Sequence, residues 1–430
     1  MSDCSCNRPA DMSRRVFVKA GALSLVSLGL DPLFLGRAAY AMRRPGRTPG
    51  SKILVCVFQR GAVDGLNMVV PHAEPSYYAD RGRIAIPRPG SGEGAAIELD
   101  GRFGLHPRLA PLKPLWDLGS LAIMHAVGSP DTTRSHFDAQ DFMESGTPGV
   151  KSTRDGWLNR ALLHRAEHVA TPFRGVAFSQ QLPRALQGSA PSLAIPELAV
   201  FGIRAPGPAR DKLTTAFEQL YGGEATGIIA STAAESFEAV QLLRRANPTQ
   251  YVPERGAAYP RGPFGHAMQQ VAQLIKADLG MEIAFVDVGG WDTHINQGAG
   301  SSGQLAGRLD EFGGALGAFA QDLGDRMADV VVLTMSEFGR TVAENGNAGT
   351  DHGHATAMFV MGGGVRGGRV AGTWPGLERE QRYEQRDLAV TTDFRDLFAE
   401  VASKQLGITD LDAVFPGYDV SAERFPGVLI

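Results

Sequence analysis

The chain has 430 residues, and its 42 Lys and Arg against 46 Asp and Glu give a net charge of −4 near neutral pH. This mildly acidic balance argues against a nucleic-acid-binding surface, which needs a basic face. Cys4 and Cys6 lie at the extreme N-terminus, and Cys56 is the one cysteine in the rest of the sequence. That remaining part therefore cannot form an internal disulfide.

The N-terminal residues have the order of features of a twin-arginine export signal. Arg14 and Arg15 precede an apolar stretch of 11 residues over 20–30, and Ala39-Tyr40-Ala41 offers small residues before a cleavage point. The stretch is shorter than the about 20 residues that a membrane-spanning helix needs, and the arginine pair is the address that the twin-arginine translocase binds. We therefore expect residues 1–41 to be a removed signal peptide. The rest, 42–430, is expected to be periplasmic or extracytoplasmic, without a stable membrane span.

Beyond the leader, apolar runs alternate with helical patterns. Runs of strand length end at polar or glycine residues, at 53–58, 121–127, 283–288, 330–335 and 357–361. Because they are continuous and do not alternate with polar residues, they predict strands buried on both faces, as in parallel sheets. Helical patterns cover 108–118, 137–145, 157–170, 212–221, 233–245, 265–279, 304–327 and 392–406. The alternation predicts a doubly wound, mostly parallel α/β fold, with residues 180–262 as a helical insertion or cap.

Polar residues that bind metals well follow the predicted strands. In open α/β sheets, ligands bind beyond the carboxyl ends of the strands, so we expect these residues to share one site. Their carboxylate and imidazole groups suit a divalent metal such as zinc, manganese or calcium. The predicted metal ligands are Asp64, Asp292, His294, Glu337, Asp351, His352 and His354.

The segment after the second predicted strand supplies candidate catalytic groups. Ser135 or Thr133 is placed near a helix N-terminus, where the backbone N–H groups and the helix dipole favour an oxyanion. Arg134 is expected to hold substrate oxygens in a bidentate fork, and His136 completes the predicted catalytic set. Structural roles stay open for each residue: the hydroxyls as helix caps, His136 as a partner of the backbone, Asp64 in a tight turn, and Glu337 in a pair with Arg340.

Several motifs resemble those of the DUF1501 family over nearly the whole chain after the leader. They are RSHFD at 134–138, GWLNR at 156–160, GGWDTH at 289–294, SEFGRT at 336–341 and TDHGH at 350–354. The family is grouped by fold with the alkaline phosphatase and sulfatase superfamily, so the resemblance implies an alkaline phosphatase-like fold. It also implies that Asp64 is a metal ligand after the first strand and that Thr133 or Ser135 is the nucleophile.

The chain departs from the superfamily pattern in three places. One residue separates Asp292 from His294, where the metallophosphatase pattern has three. Either Glu337-Phe338 or Asp351-His352 is the counterpart of the superfamily's Asp-His pair, and in the first case Phe338 replaces a histidine. The Cys/Ser-x-Pro-x-Arg pattern of typical sulfatases is missing. These departures leave a one-metal, a two-metal and a degenerate site open, and they disfavour a formylglycine nucleophile.

The sequence thus favours an exported metal-dependent hydrolase that acts on a small phosphate or sulfate ester. The main alternative is a non-catalytic periplasmic binding or assembly protein with a degenerate metal site. A metal-independent serine hydrolase is disfavoured, because the chain has no Gly-x-Ser-x-Gly elbow.

Overall fold

The computed structural model describes residues 52–165, 171–200 and 250–430. The strands are β1 (Ile53–Gln59), β2 (Val69–Val70), β3 (Ile97–Glu98), β4 (Gly104–Leu105), β5 (Leu121–Gly128), β6 (Gly175–Ala177), β7 (Ser192–Ala194), β8 (Ile283–Val288), β9 (Val330–Met335), β10 (Thr356–Gly362), β11 (Arg369–Ala371) and β12 (Thr392–Asp393). The helices are α1 (Gly65–Met68), α2 (Pro75–Asp80), α3 (Lys113–Asp117), α4 (His136–Ser145), α5 (Trp157–His164), α6 (Pro263–Lys276), α7 (Gln304–Leu323), α8 (Phe394–Leu406) and α9 (Leu411–Val414).

Within these ranges a central sheet has the strand order β11-β5-β10-β9-β1-β8-β6-β7, with β12 also paired to β5. All neighbouring pairs are parallel except those of β10, which runs antiparallel to both β5 and β9. The predicted doubly wound, mostly parallel α/β fold is confirmed. Because β10 is reversed, the loop that enters it lies at the edge where the parallel strands end.

The sheet has a hydrophobic core on each face, as its continuous apolar strands require. Along β1, Ile53, Val55 and Val57 belong to one core, which includes apolar side chains of α6 and α7. The alternate residues Leu54, Cys56 and Phe58 belong to the other, with side chains of α5 and α8. Helices therefore cover both faces, and only the two ends of the strands are free to carry loops.

Two of the predicted helices begin and end with standard capping residues. Ser135 caps α4 at its N-terminus, and Gly146 ends it in the left-handed conformation. Asp393 and Gly407 do the same for α8. A side-chain N-cap stabilises a helix by about 1 kcal/mol. The cap of α4 matters most here, because it places His136 on the first turn, directly at the strand-end edge.

Some predictions extend beyond the described residues. The leader, the helices predicted at 212–221 and 233–245, and the end of the one predicted over 157–170 all lie outside them. Of the predicted insertion 180–262, residues 180–200 contain β7 and two short 3-10 turns, Arg184–Leu186 and Leu198–Val200. The helical insertion stays a prediction. Among the helices of the described ranges, none is long and apolar enough to cross a membrane.

Candidate metal centre

Three histidines and one aspartate converge beyond the carboxyl ends of the parallel strands. His136 begins α4, Asp292 and His294 follow β8, and His352 precedes the reversed strand β10. The Nε2 atom of His352 lies 3.0 Å from the Nε2 atoms of both His136 and His294. The Oδ1 atom of Asp292 lies 2.9 Å from Nε2 of His294, 3.3 Å from that of His352 and 3.6 Å from that of His136. We call these four residues the histidine centre.

The second ring nitrogen of each histidine faces a hydrogen-bond acceptor. The Nδ1 atoms of His136, His294 and His352 lie 2.8, 3.1 and 2.8 Å from Oε1 of Glu337, Oδ1 of Asp351 and the carbonyl oxygen of Arg134. Carboxylate and carbonyl oxygens only accept, so each Nδ1 donates. A neutral imidazole that donates through Nδ1 presents a lone pair at Nε2. The three lone pairs therefore point into one small volume.

Lone pairs 3.0 Å apart repel each other unless a positive charge lies between them. A proton on His136 is one solution, since the hydrogen bond with Glu337 raises the pKa of His136, while burial lowers the pKa of His352. A divalent metal is the other. Ligand atoms 2.0–2.1 Å from a tetrahedral zinc ion are about 3.3 Å apart, and the distances among the ligand atoms of His136, Asp292 and His352 are 3.0, 3.3 and 3.6 Å. These three donors fit such a metal, and His294 lies beside them.

The charge around the histidine centre also suits a divalent cation. Burial opposes ionisation of Asp292, but the hydrogen bond and positive charge of Arg340, together with the charges of His294 and His136, outweigh burial and lower the pKa of Asp292. Burial likewise opposes ionisation of Glu337, whose pKa is lowered by the hydrogen bond from His136, and hydrogen bonding from Asn345 lowers the pKa of Asp351. Three carboxylates and the guanidinium of Arg340 leave two negative charges, which one divalent cation neutralises.

Arg340 is a residue that the sequence analysis did not place in the site. Its side chain is fully buried, and its Nη2 atom donates to Oδ1 of Asp292 at 2.5 Å. Its Nη1 atom lies 3.5 Å from Nε2 of His294, and its remaining hydrogen bonds go to backbone carbonyls, including those of Gly61 and Ala62. Arg340 therefore fixes the position of the Asp292 carboxylate. In the sequence, Arg340 is notable only because it lies three residues after Glu337. That spacing suggested an ion pair between Glu337 and Arg340, whereas Arg340 pairs with Asp292.

Glu337 is held by a second set of unpredicted partners. Its Oε1 atom accepts hydrogen bonds from the backbone of Gly61 at 2.8 Å and from Gln140 at 2.9 Å, besides that from His136. Gln140 lies four residues after His136, on the same side of α4, which is the signal that sequence reasoning could have used. Gly61 has φ +113°, and a Cβ there would lie 2.9 Å from the backbone nitrogen of Asp292. Glycine is therefore required where β1 meets the histidine centre.

Replacing Glu337 with glutamine is expected to weaken metal binding about 10- to 100-fold, the usual effect of losing a carboxylate that orients a ligand histidine. The amide keeps the shape but removes the charge that fixes Nδ1 of His136. Titration of the metal-free protein with zinc measures the change. The matched control is Glu344→Gln, because Glu344 pairs with Arg83 on the surface. Equal zinc affinities for the two variants would contradict the orienting role.

Four predicted metal ligands lie outside the group of facing Nε2 atoms in this structure. Asp64 is fully buried, with Oδ2 2.6 Å from both Arg81 and Gln297, so its oxygens face the interior. Glu337 and Asp351 contact Nδ1 atoms and therefore orient histidines instead of joining the lone pairs. His354 points elsewhere: its Nε2 lies 3.0 Å from the carbonyl oxygen of Ser129. The structure brings together Asp292, His294 and His352, and it adds His136, which we had expected to act in catalysis.

The candidate nucleophiles and oxyanion holder are engaged in local structure. Oγ of Ser135 accepts from the N–H of Asp138 as the cap of α4, and Oγ1 of Thr133 accepts from the N–H of Ser135 at 3.2 Å. The guanidinium of Arg134 donates to Glu384 at 2.6 Å and to Asp387 at 2.7 Å. Arg134 is therefore paired with two carboxylates in this structure. Ser135 is the helix cap, and Thr133 accepts a local hydrogen bond from the backbone.

The geometry also bears on how many metal ions the site can hold. In the described part of the chain, one group of His, Cys, Asp and Glu side chains has ligand atoms close enough to share a metal, and it contains His136, Asp292 and His352. Since Asp64 and Glu337 are turned away, the arrangement favours one metal over two.

Comparisons with solved structures find proteins with a similar fold. Two solved structures that resemble the fold are the PsFucS1 sulfatase from Pseudoalteromonas sp. and a TAB5 alkaline phosphatase mutant with magnesium bound in its M3 site. The sulfatase is 12% identical in sequence, with a TM-score of 0.39, and the aligned region covers 97% of this chain and 78% of the sulfatase chain. The phosphatase is also 12% identical, with a TM-score of 0.30, and the aligned region covers 74% of this chain and 92% of the phosphatase chain. Both are too distant to indicate an activity.

A search of curated proteins finds no match. The family described as "Protein of unknown function (DUF1501)" matches residues 118–415, which is more than half of the chain. The chain therefore belongs to the DUF1501 family.

Proposed function

We propose that the protein is an exported, metal-dependent hydrolase of phosphate or sulfate esters, with one divalent cation held by His136, Asp292 and His352 and with His294 beside it. The observation that carries the proposal is the convergence of three Nε2 atoms whose Nδ1 partners fix every lone pair inward. A bound divalent cation supplies Lewis-acid polarisation of an ester oxygen and activation of water.

The exposure of the histidine centre supports a catalytic role over a purely structural one. Structural zinc sites are closed, whereas catalytic sites keep a position open to solvent. The Asp292 side chain is 47% exposed and that of His294 37%, so a small ester has access from solvent. Arg340 holds Asp292 from the buried side, and Glu337 holds His136.

Water is proposed as the attacking group. Ser135 and Thr133 accept hydrogen bonds from the backbone at the start of α4, and a reaction through either hydroxyl would disturb this cap. Solvent reaches the histidine centre directly through its open face. The chemistry therefore does not require a covalent intermediate on the protein.

The activity test uses 4-nitrophenyl phosphate and 4-nitrophenyl sulfate with protein loaded in turn with zinc, manganese or calcium. We expect hydrolysis of at least one ester, abolished by chelator and reduced about 100-fold or more in Asp292→Ala, because metal catalysis contributes several kcal/mol. Ser135→Ala and Thr133→Ala are expected to keep activity within a few-fold of the parent. Full activity in chelator, or a 100-fold loss in Ser135→Ala, would contradict this mechanism.

A non-catalytic binding or assembly protein is the second candidate. The observation in its favour is that Arg134, the expected oxyanion holder, is tied to Glu384 and Asp387. Stoichiometric metal binding without turnover of either class of ester would favour this candidate over hydrolysis.

Export by the twin-arginine route is proposed from the leader alone. Replacing Arg14 and Arg15 together with lysine is expected to leave most of the precursor in the cytoplasm, because the translocase binds the arginine pair and not positive charge in general. Cell fractionation and immunoblotting measure the distribution. Arg37→Lys is the control, since it makes the same change outside the pair. Normal export of the double variant would contradict the leader assignment.

A further inference from the structure

One side of α4 carries a row of polar side chains that begins at the histidine centre. His136, Gln140 and Glu144 are spaced four residues apart, so they lie along the same side of the helix. Each has a partner from another segment: Glu337 contacts His136 and Gln140, and Arg60 contacts Gln140 and Glu144. We call His136, Gln140 and Glu144 the polar row. Its contacts connect the histidine centre to Arg60.

Arg60 follows β1 and joins the polar row to the ends of the strands. Its Nη1 atom donates to Oε1 of Gln140 at 3.0 Å and to Oε1 of Glu144 at 2.9 Å. Its Nε atom donates to Oδ1 of Asp287, near the end of β8, at 2.6 Å. The guanidinium also lies over the ring of Phe58, 4.3 Å from the ring centroid. These contacts hold the guanidinium in one place and direct an N–H group to the amide of Gln140.

The contacts at the two ends of the Gln140 amide fix its orientation. An amide has an accepting oxygen and a donating nitrogen. Because the oxygen accepts from Arg60, the nitrogen faces the other way, and Nε2 donates to Oε1 of Glu337 at 2.9 Å. Rotation by half a turn would place the NH2 group against the guanidinium and the oxygen against the carboxylate. Arg60 therefore stabilises the orientation in which Gln140 holds Glu337, the carboxylate that accepts from Nδ1 of His136.

We propose that Arg60 and Gln140 are positioning residues for the proposed metal: Arg60 fixes the amide of Gln140, and the amide holds Glu337 where it orients His136. This inference rests on the metal site of the proposed function and not on hydrolysis. The charge of Arg60 alone would weaken the binding of a cation, so its removal would strengthen binding. The positioning role predicts the opposite sign, because loss of Arg60 loosens the group that orients a ligand.

Calorimetric titration of the metal-free protein with zinc tests the proposal without turnover. Gln140→Met keeps the length of the side chain but removes the donor, and it should weaken zinc binding about tenfold, the lower end of the effect of losing an orienting partner. Arg60→Met acts one contact further away and should weaken binding about fivefold. The double variant should match the Gln140 variant within about twofold, because Arg60 acts through the amide. Arg60→Lys repeats the comparison with the charge retained, since an ammonium lacks the fork that bonds Asp287 and Gln140 together.

Arg184→Met is the matched control for a general loosening of α4. The Arg184 side chain is 20% exposed, against 23% for Arg60, and its Nε atom lies 3.0 Å from Oδ1 of Asp141 on the same helix. Asp141 lies outside the polar row. The Arg184 variant should therefore unfold at a lower urea concentration than the parent but bind zinc with the affinity of the parent.

The pattern of zinc affinities decides the proposal. Unchanged or tighter binding in either single variant would overturn it, as would an equal loss from Arg60→Met with and without Gln140, or a comparable loss in the Arg184 variant. A parent that binds no zinc would overturn it together with the metal site. Coupled losses of zinc affinity without hydrolysis of either 4-nitrophenyl ester would support the positioning role and reject the hydrolase. Hydrolysis with uncoupled losses would do the reverse.

Discussion

Replacing His352 with alanine is expected to reduce bound metal from about one equivalent to nearly none, a loss of affinity of roughly 100-fold or more. His352 is the central ligand, because its Nε2 atom lies 3.0 Å from those of both His136 and His294. Its own Nδ1 is fixed by the carbonyl oxygen of Arg134. Without it, His136, His294 and Asp292 remain as an incomplete set. Elemental analysis of the purified protein, together with zinc titration after chelator treatment, measures the effect.

The chain offers a closely matched control two residues later. His354 is also half-buried, but its Nε2 lies 3.0 Å from the carbonyl oxygen of Ser129 and its ring packs on Tyr383. His354→Ala is therefore expected to keep its metal. Circular dichroism confirms that both variants are folded. The ligand assignment is wrong if the His354 variant loses metal while the His352 variant retains it.

The sequence predicted the main strands well because their apolar runs are long and continuous. The predicted runs correspond to β1, β5, β8, β9 and β10, which are buried throughout except at Asp287 of β8. The sheet is mostly parallel as predicted, and the sequence could not single out β10 as the reversed strand, since a strand buried on both faces has the same pattern whether it is parallel or antiparallel. The pairs β6 with β7 and β11 with β5 were missed because strands of three residues have no detectable period.

The site was predicted less completely than the fold, because strand-end position does not determine where a side chain points. Asp64 and Asp292 both follow buried strands, yet Asp64 is drawn inward by Arg81, whose position 17 residues later gave no signal. Arg134 is likewise drawn away by Asp387, distant in sequence. These partners are long-range contacts, and a single sequence contains no record of them.

Phe338 packs against two residues of the histidine centre. Its ring centroid lies 5.0 Å from those of both His136 and His352, and it stacks on His136 with an interplanar angle of 30°. Phe338 therefore supports two histidines from other segments. His136 and His352 supply the imidazoles, and Phe338 supplies the apolar surface that keeps their rings in place.

Replacing Arg81 with methionine is expected to reduce the free energy of unfolding by about 3–5 kcal/mol, the usual result of removing one partner of a buried ion pair. Arg81 and Asp64 are both fully buried, with Nη1 of Arg81 2.6 Å from Oδ2 of Asp64. The guanidinium also donates to the carbonyl oxygens of Val342 and Thr341, each at 2.7 Å. Methionine fills much of the space but leaves the carboxylate buried without its cation. Urea unfolding measures the loss.

Two further variants test whether the loss of stability in the Arg81 variant comes from the uncompensated buried charge of Asp64. Arg83→Ala removes a guanidinium that is 54% exposed and paired with Glu344, so it should cost less than about 1 kcal/mol. Adding Asp64→Asn to the Arg81 variant should recover part of the stability, because no uncompensated charge is then buried. Because Asp64 is assigned to the interior and not to the metal, the double variant should still bind zinc with the affinity of the parent. Loss of zinc there, with stability restored, would return Asp64 to the metal centre.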